Sequence, residues 1–199
     1  MMVKNYKEVL YDNESLETNR LLLRKAIKSD AAGVFECGGD AETVEHLDWE
    51  GVQSEEEALN AIIEYNWSRP GIWVIEHKED KKYIGAIDIR IEPENESSSF
   101  GYMLNRNYWG KGYMTEALSE ILRLCFEELD LNRVWSCHYT GNEASGKVMQ
   151  KCGMKYEGVS EQERKIKGVF RDVVRYGITK KQWLINHSGS HRKERHNDQ

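Results

Sequence analysis

Apolar and polar positions fall into blocks along this chain, and the period of each block predicts an element. The run RLLLRKAI at 20–27 predicts a first strand, and Ser29 and Asp30 predict a helix start ahead of AAGVFE. Ser54 and Glu57 stand at capping-box spacing before EEALNAIIEYNW, where Ala58, Ile62 and Tyr65 recur on one helical face. Pro70 and Gly71 interrupt the pattern. IWVIEH, the charged turn EDKK and YIGAIDIRI then predict a hairpin in which Ile87, Ile89 and Ile91 alternate with Ala86, Asp88 and Arg90. SSSFGYMLN reads as another strand and runs into the loop WGKGYM. That loop opens an amphipathic helix, TEALSEILRLCFEEL, with Ala117, Ile121, Leu124 and Cys125 as its inward stripe. NRVWSCHY supplies a strand, GNEASGKVMQKCG a short helix closed by glycine, and KYEGVSEQERKIKGVFRDVVRYGI a last strand pair.

This order predicts one α/β (α+β) domain over residues 1–185, with a mostly antiparallel mixed sheet flanked by helices. A flexible polar tail is expected over 186–199, where periodicity stops. At 199 residues the chain buries enough surface for one core without staples. The four cysteines, Cys37, Cys125, Cys137 and Cys152, are scattered without a CxxC pair, so reduced core thiols are expected and no metal site. MMVKNYKEVLYDNESLE lacks the apolar core of a signal peptide and no later run is long enough to span a bilayer, so a cytoplasmic protein with no membrane partner is expected. The net charge of −6 argues against nucleic-acid binding and is compatible with a cationic partner.

The strongest chemical signal is Tyr108-Trp109-Gly110-Lys111-Gly112-Tyr113-Met114, between a strand and a helix start. Glycines there permit close backbone approach, and free amides at a helix N-terminus suit a pyrophosphate, with Lys111 as a point charge at the rim. A glycine pair before a helix also serves tight packing alone. The spacing is neither a P-loop, since Asn105 stands five before Gly110, nor a GxGxxG fingerprint, since Thr115 takes the third glycine position. A second element is Gly141-Asn142-Glu143-Ala144-Ser145, where Asn142 is a good N-cap and Ser145 falls in the first helical turn.

Five blocks in order, TNRLLLRKAIKSDA, IGAIDIR with FGYML, YWGKGYMTEAL, NEASGKVMQKCGM, and YEG with FRDVVRYGI, make residues 18–183 resemble the GNAT acetyltransferases. Within them the chain is similar to the Rim-type ribosomal-protein N-terminal acetyltransferases. The resemblance implies two splayed central strands, with acetyl-CoA as cosubstrate lying along FGYML. It implies amides of Trp109 to Met114 on the pyrophosphate, Asn142 beside the cofactor, and a strand amide near Met103 or Leu104 as oxyanion donor. Met149 stands where many members carry an acidic tyrosine, so Ser145 becomes the candidate proton donor. Met114 replaces a small residue and is expected to crowd the pyrophosphate, and Ser99 replaces a carboxylate.

The general base is therefore open among a water held by Ser99, Asp88, Glu92 and Glu163, with Arg164 close to the position where the family places an acid. The implied reaction is direct acetyl transfer to a primary amine, a protein or peptide α-amine before a small amine such as a polyamine or amino acid. The competing reading is a silent acyl-CoA-binding module. Net charge favours a basic protein as acceptor, Trp49, Trp67 and Trp73 are candidate pocket aromatics, and edge strands in the last hairpin make a homodimer plausible.

Overall fold

The computed structural model of the chain describes residues 5–188. An eight-stranded sheet runs in the order β1-β2-β3-β4-β5-β6-β8-β7. Its strands are β1 Ser15–Glu17, β2 Leu21–Arg24, β3 Ile72–His77, β4 Lys82–Glu92, β5 Ser97–Leu104, β6 Arg133–Tyr139, β7 Lys155–Ile166 and β8 Val169–Thr179. Neighbours pair antiparallel except β5 and β6, which are parallel. Helices α1 Tyr6–Asp12, α2 Ala31–Gly38, α3 Ala41–Val44, α4 Glu55–Ala61, α5 Tyr113–Arg123, α6 Glu143–Lys151 and α7 Lys180–His187 flank it.

Strand alternation sorts the core onto two faces. Ile87, Ile89, Phe100 and Val134 pack with Leu118 and Ile121 of α5, whereas Val74 and Tyr83 pack with Val34, Cys37, Ala58 and Ile62 from α2, α4 and the turn after α4. Each fully buried Leu or Ile contributes about 1.5–3 kcal/mol, so both faces of the sheet stabilise the fold.

The expected elements are present, with local differences. Strand β2 ends at Arg24, short of Ile27, because the Arg24 guanidinium turns to Asp30 (2.8 Å) and Glu76 (2.7 Å) while the Asp30 carboxylate takes the Ile27 amide at 2.8 Å. Ala58 and Ile62 are buried but Tyr65 is exposed, since a π-helical turn at Ile62–Asn66 breaks the 3.6-residue period. Helix α1 carries no strong periodic signal and was not expected. Helix α7 continues through His187, so Asn186 and His187 are helical rather than part of a tail, and residues 189–199 lie outside the described residues. Among the described residues no helix is long and apolar enough to cross a membrane.

The parting of β5 from β6 organises everything below. Their ladder holds only at Ser97↔Arg133, Ser98↔Val134 and Ser99↔Trp135. At the next position the Ser136 hydroxyl donates to the Phe100 carbonyl at 2.7 Å, satisfying a buried acceptor where the backbones separate. Beyond it, β5 keeps its register with β4 to Leu104 while β6 keeps its register with β8 to Tyr139. The result is an open wedge between two strands that are each anchored on the other side.

Candidate active site

Strand alternation decides which β5 amides enter the wedge. Asn105 N–H donates to Ile84 of β4 at 2.7 Å, and a Cβ on Gly85 would lie 2.3 Å from the Met103 carbonyl, so odd positions face β4. The Phe100 carbonyl meets Ser136, and the Leu104 carbonyl accepts from the Trp109 indole at 2.7 Å, so even positions face away from β4. Of the two expected oxyanion donors, Leu104 presents its amide to the wedge and Met103 spends its amide on the ladder.

A groove of about 580 Å³ runs from the wedge along the N-termini of α5 and α6. Its floor includes Tyr102, Met103 and Leu104, and its end is the loop Trp109, Gly110, Gly112 and Tyr113. Gly110 and Gly112 have φ of +74° and +82°, a left-handed backbone that a side chain resists. This geometry leaves the amides of residues 110–115 without a backbone acceptor among the described residues, at the positive end of α5. The donor set fits a pyrophosphate, and Lys147 and Lys151 of α6 add positive charge along the same groove.

One expected contribution differs. The Lys111 ammonium donates to the Asn107 carbonyl at 3.0 Å and its residue does not line the groove. Met114 lines the groove, with most of its side chain packed into the α5 core.

The loop is held from behind by residues that no local pattern marks. Glu116 in the first turn of α5 accepts from the Thr18 hydroxyl (2.6 Å), the Arg20 amide (2.8 Å) and the Arg20 guanidinium (2.7 Å). Arg20 also donates to the Lys111 carbonyl at 3.0 Å and covers the Tyr113 ring at 4.3 Å. On the other side Tyr113 OH meets His77 Nε2 at 3.0 Å, while His77 Nδ1 and Tyr108 OH both meet Asp80 at 2.9 and 2.8 Å. Burial, then Asp80, pushes the Tyr108 hydroxyl up to about 12, so it remains a donor.

Burial alone would raise the Glu116 carboxyl, but its contacts with Thr18 and Arg20 outweigh that and hold it below its ordinary 4.5. Its stabilisation is therefore fully present above that value and lost as pH falls through the depressed one. Glu116→Gln is expected to cost about 1–3 kcal/mol in urea unfolding at pH 7. The difference from wild type should narrow as the medium is acidified below about pH 4. A gap that stays constant with pH would show that the charge on Glu116 is not what matters.

Helix α6 sets Ser145 beside the groove. Asn142 caps the helix, its Oδ1 accepting from the Ser145 amide at 3.2 Å. Gly146 lets the helix lie close to β6 and β8, since a Cβ there would stand 2.8 Å from His138 Nε2. Ser145 Oγ lies 2.9 Å from the Tyr102 hydroxyl, which is also 3.0 Å from the Ser145 carbonyl. A carbonyl only accepts and a phenol carries one proton, so when Tyr102 donates to the Ser145 carbonyl the Ser145 hydroxyl donates to Tyr102, and when Tyr102 turns its proton to Ser145 Oγ the serine proton is released toward another acceptor. Burial raises the Tyr102 hydroxyl well above its ordinary 10.0, keeping it protonated. The sequence reading missed Tyr102; its strand position beside Gly101 was the available signal, but only tertiary packing brings it to Ser145.

A second cavity, of about 380 Å³, opens between β5, β6 and the β7–β8 hairpin. It is lined by Asp48, Arg90, Ser99, Trp135, Cys137, Tyr139, Glu163, Arg164, Lys165 and Arg175 among others. Positions close in sequence line the two cavities on three segments: Phe100 here and Tyr102 in the groove, Tyr139 and Gly141, and Asp48 and Leu47. Register shifts between Tyr156 and Gly158 and between Ser160 and Arg164 curl the hairpin over it. Lys167 at the hairpin turn donates to the Val44 carbonyl at 2.7 Å.

Among the expected base candidates, Ser99 and Glu163 line this cavity, and Asp88 and Glu92 do not. Asp88 is buried against Arg69 (2.7 Å) and Arg90 (3.1 Å), so it is no solvated strand residue. Glu163 receives both Arg175 guanidinium nitrogens at 2.7 and 2.8 Å, which holds its carboxyl below the usual range and makes it a poor base. Trp49, Trp67 and Trp73 line neither cavity: Trp73 is core, Trp67 bonds the Ala26 carbonyl at 2.8 Å, and Trp49 packs near Gly38. The indoles that do are Trp135 in the second cavity and Trp109 in the groove.

A long groove ending in free amides, with a separate polar pocket along the same parted pair of strands, is an arrangement that suits a two-substrate transferase with a phosphate-bearing donor. The chain belongs to the GNAT acetyltransferase family, whose domain model, described as Acetyltransferase (GNAT) domain, matches residues 20–155. It is therefore an acetyl-CoA-dependent acyltransferase. An uncharacterised N-acetyltransferase of Bacillus subtilis, YoaA, is 31% identical over 170 residues, covering 83% of this chain and 96% of that protein. The putative ribosomal N-acetyltransferase YdaF of the same organism is 32% identical over 105 residues, 52% of this chain and 57% of its own. A GNAT acetyltransferase structure from Bacillus anthracis superposes with a TM-score of 0.77 at 25% identity, covering 84% of this chain and 99% of that one.

Proposed function

We propose that the protein transfers the acetyl group of acetyl-CoA directly to a primary amine, with the α-amine of a protein or peptide as acceptor. The carrying observation is that the amide-ended groove and the polar pocket lie along the same parted strands, lined by neighbouring positions of β5, with Leu104 and Ser145 on the groove side. The neutral amine bonds to the acetyl carbon as the carbon–sulfur bond breaks. The Leu104 amide stabilises the oxygen that becomes negative, and Ser145 gives the departing sulfur a proton. Tyr102 then hands its own proton to Ser145, and the proton released by the amine restores the pair through solvent.

The α-amine is preferred because the cavity offers no strong base, its lining carboxylates being Glu163 and Asp48. With Glu163 bound by Arg175 and Ser99 in place of a carboxylate, an amine of pKa near 8 loses its proton far more readily than a lysine near 10.4. Similarity to the putative ribosomal N-acetyltransferase YdaF supports the same choice.

Coenzyme A release with peptides bearing free or blocked N-termini tests this, with the modified position read by mass spectrometry. Free N-termini are expected to be labelled, at a rate rising through about pH 8. Equal labelling of internal lysines in blocked peptides would remove the α-amine claim.

A further inference from the structure

The acceptor-side cavity differs in charge from the chain as a whole. Four basic side chains, Arg90, Arg164, Lys165 and Arg175, line it against the carboxylates Asp48 and Glu163. The net charge of the protein is −6, so the acidic excess lies elsewhere on the surface.

Pairing sharpens the contrast. Glu163 is taken bidentately by Arg175, and Asp88 behind the cavity is shared between Arg69 and Arg90. Arg164 stands 4.0 Å from the same Glu163 and is 66% exposed, while the Lys165 ammonium lies over the Phe170 ring at 5.7 Å. These two cations, on the curled strand β7, are thus only weakly compensated, with Asp48 as the remaining opposing charge. Both residues line the cavity that also holds Ser99 and Trp135, and both stay exposed at its rim, where an incoming anion can reach them.

We propose that this cavity takes a primary amine carrying an anionic group, a carboxylate or phosphate, a few bonds from the reacting nitrogen. The inference rests on the acetyl-transfer reading above and departs from the expectation of a basic acceptor. A guanidinium binds either anion through paired N–H donors, and at short range that outweighs the screened field of the whole surface. A cavity of about 380 Å³ has the size of a small-ligand site, so the anion and the amine are held within one pocket.

The test compares free-amine peptides with Asp, Asn or Lys at the second and third positions. A second arm compares glutamate and phosphoethanolamine with putrescine, separating a peptide source of the anion from a metabolite. The Asp peptide, or the anionic small amines, should exceed the cationic counterpart in kcat/KM by at least about tenfold, the difference shrinking with salt. The double variant Arg164→Glu with Lys165→Glu should reduce that ratio by at least about tenfold while acetyl-CoA affinity stays unchanged. Equal or better turnover of the cationic acceptors by the wild type, or an unaltered ratio in the variant, overturns the proposal. If no amine of any charge is acetylated, the transfer reading fails on its own. Calorimetry with the N-terminally blocked Asp peptide in the presence of coenzyme A then decides: binding lost in the double variant sustains the anion site, and absence of binding to the wild type overturns it.

Discussion

Gly112→Val is expected to weaken acetyl-CoA binding by at least about tenfold, which is about 1.4 kcal/mol, in a protein that still folds. Gly112 has φ of +82°, and its Cβ would approach Arg20 at 3.6 Å, so the added cost is mainly backbone strain with little collision. A left-handed conformation costs an ordinary residue about 1–2 kcal/mol, and a β-branched one more. The loop relieves that strain by turning the Gly112 peptide, which redirects amides at the start of α5 that must converge on one anion. Global stability, typically about 5–15 kcal/mol, tolerates the change, whereas the anion site depends on the direction of each N–H. Calorimetric titration with acetyl-CoA, alongside circular dichroism to confirm the fold, reads the effect. Unchanged affinity in a folded variant would remove the loop from the cofactor site. Lys111→Ala should have a smaller effect, because its ammonium is bonded to the Asn107 carbonyl within the loop.

The largest loss of turnover should come from Ser145→Ala, with kcat falling by about 100-fold and KM for either substrate changing little. A positioned proton donor acts in the transition state and contributes about 10²–10⁴ in rate. Tyr102→Phe should lower kcat by about tenfold, since it leaves Ser145 its own proton but removes the donor 2.9 Å behind it. A hydroxyl that merely steadies the helix would show the opposite pattern, with melting temperature falling and kcat preserved. Ser145→Cys separates the roles further: a thiol still carries a proton to give, whereas its weak hydrogen bond does little to replace the hydroxyl contact with Tyr102 that would steady the helix. Steady-state kinetics and thermal melts on the three variants measure both quantities. Wild-type kcat in Ser145→Ala would assign that residue to hydration of the groove.

Much of this protein was legible before any coordinates, and the reason is local. Strand and helix periods, the Ser54 cap, the glycine-bearing loop ahead of α5 and the Asn142 cap before Ser145 all act over three to five residues, so neighbouring side chains alone encode them. Tertiary structure decided what lies between distant segments. Arg20 and Glu116, 96 positions apart, fix the loop, and no periodicity connects them. Leu104 rather than Met103 offers its amide because strand register, not residue type, sets which way a peptide points. Met114 turned its side chain into the α5 core, and a π-helical turn carried Tyr65 out of its predicted stripe. Tyr102 meets Ser145 only because β5 and α6 pack together. The acceptor cavity shows the limit most clearly: a net charge is a sum over the whole surface, while the field in a pocket depends on which few charges the folded hairpin brings together and which of them are already paired.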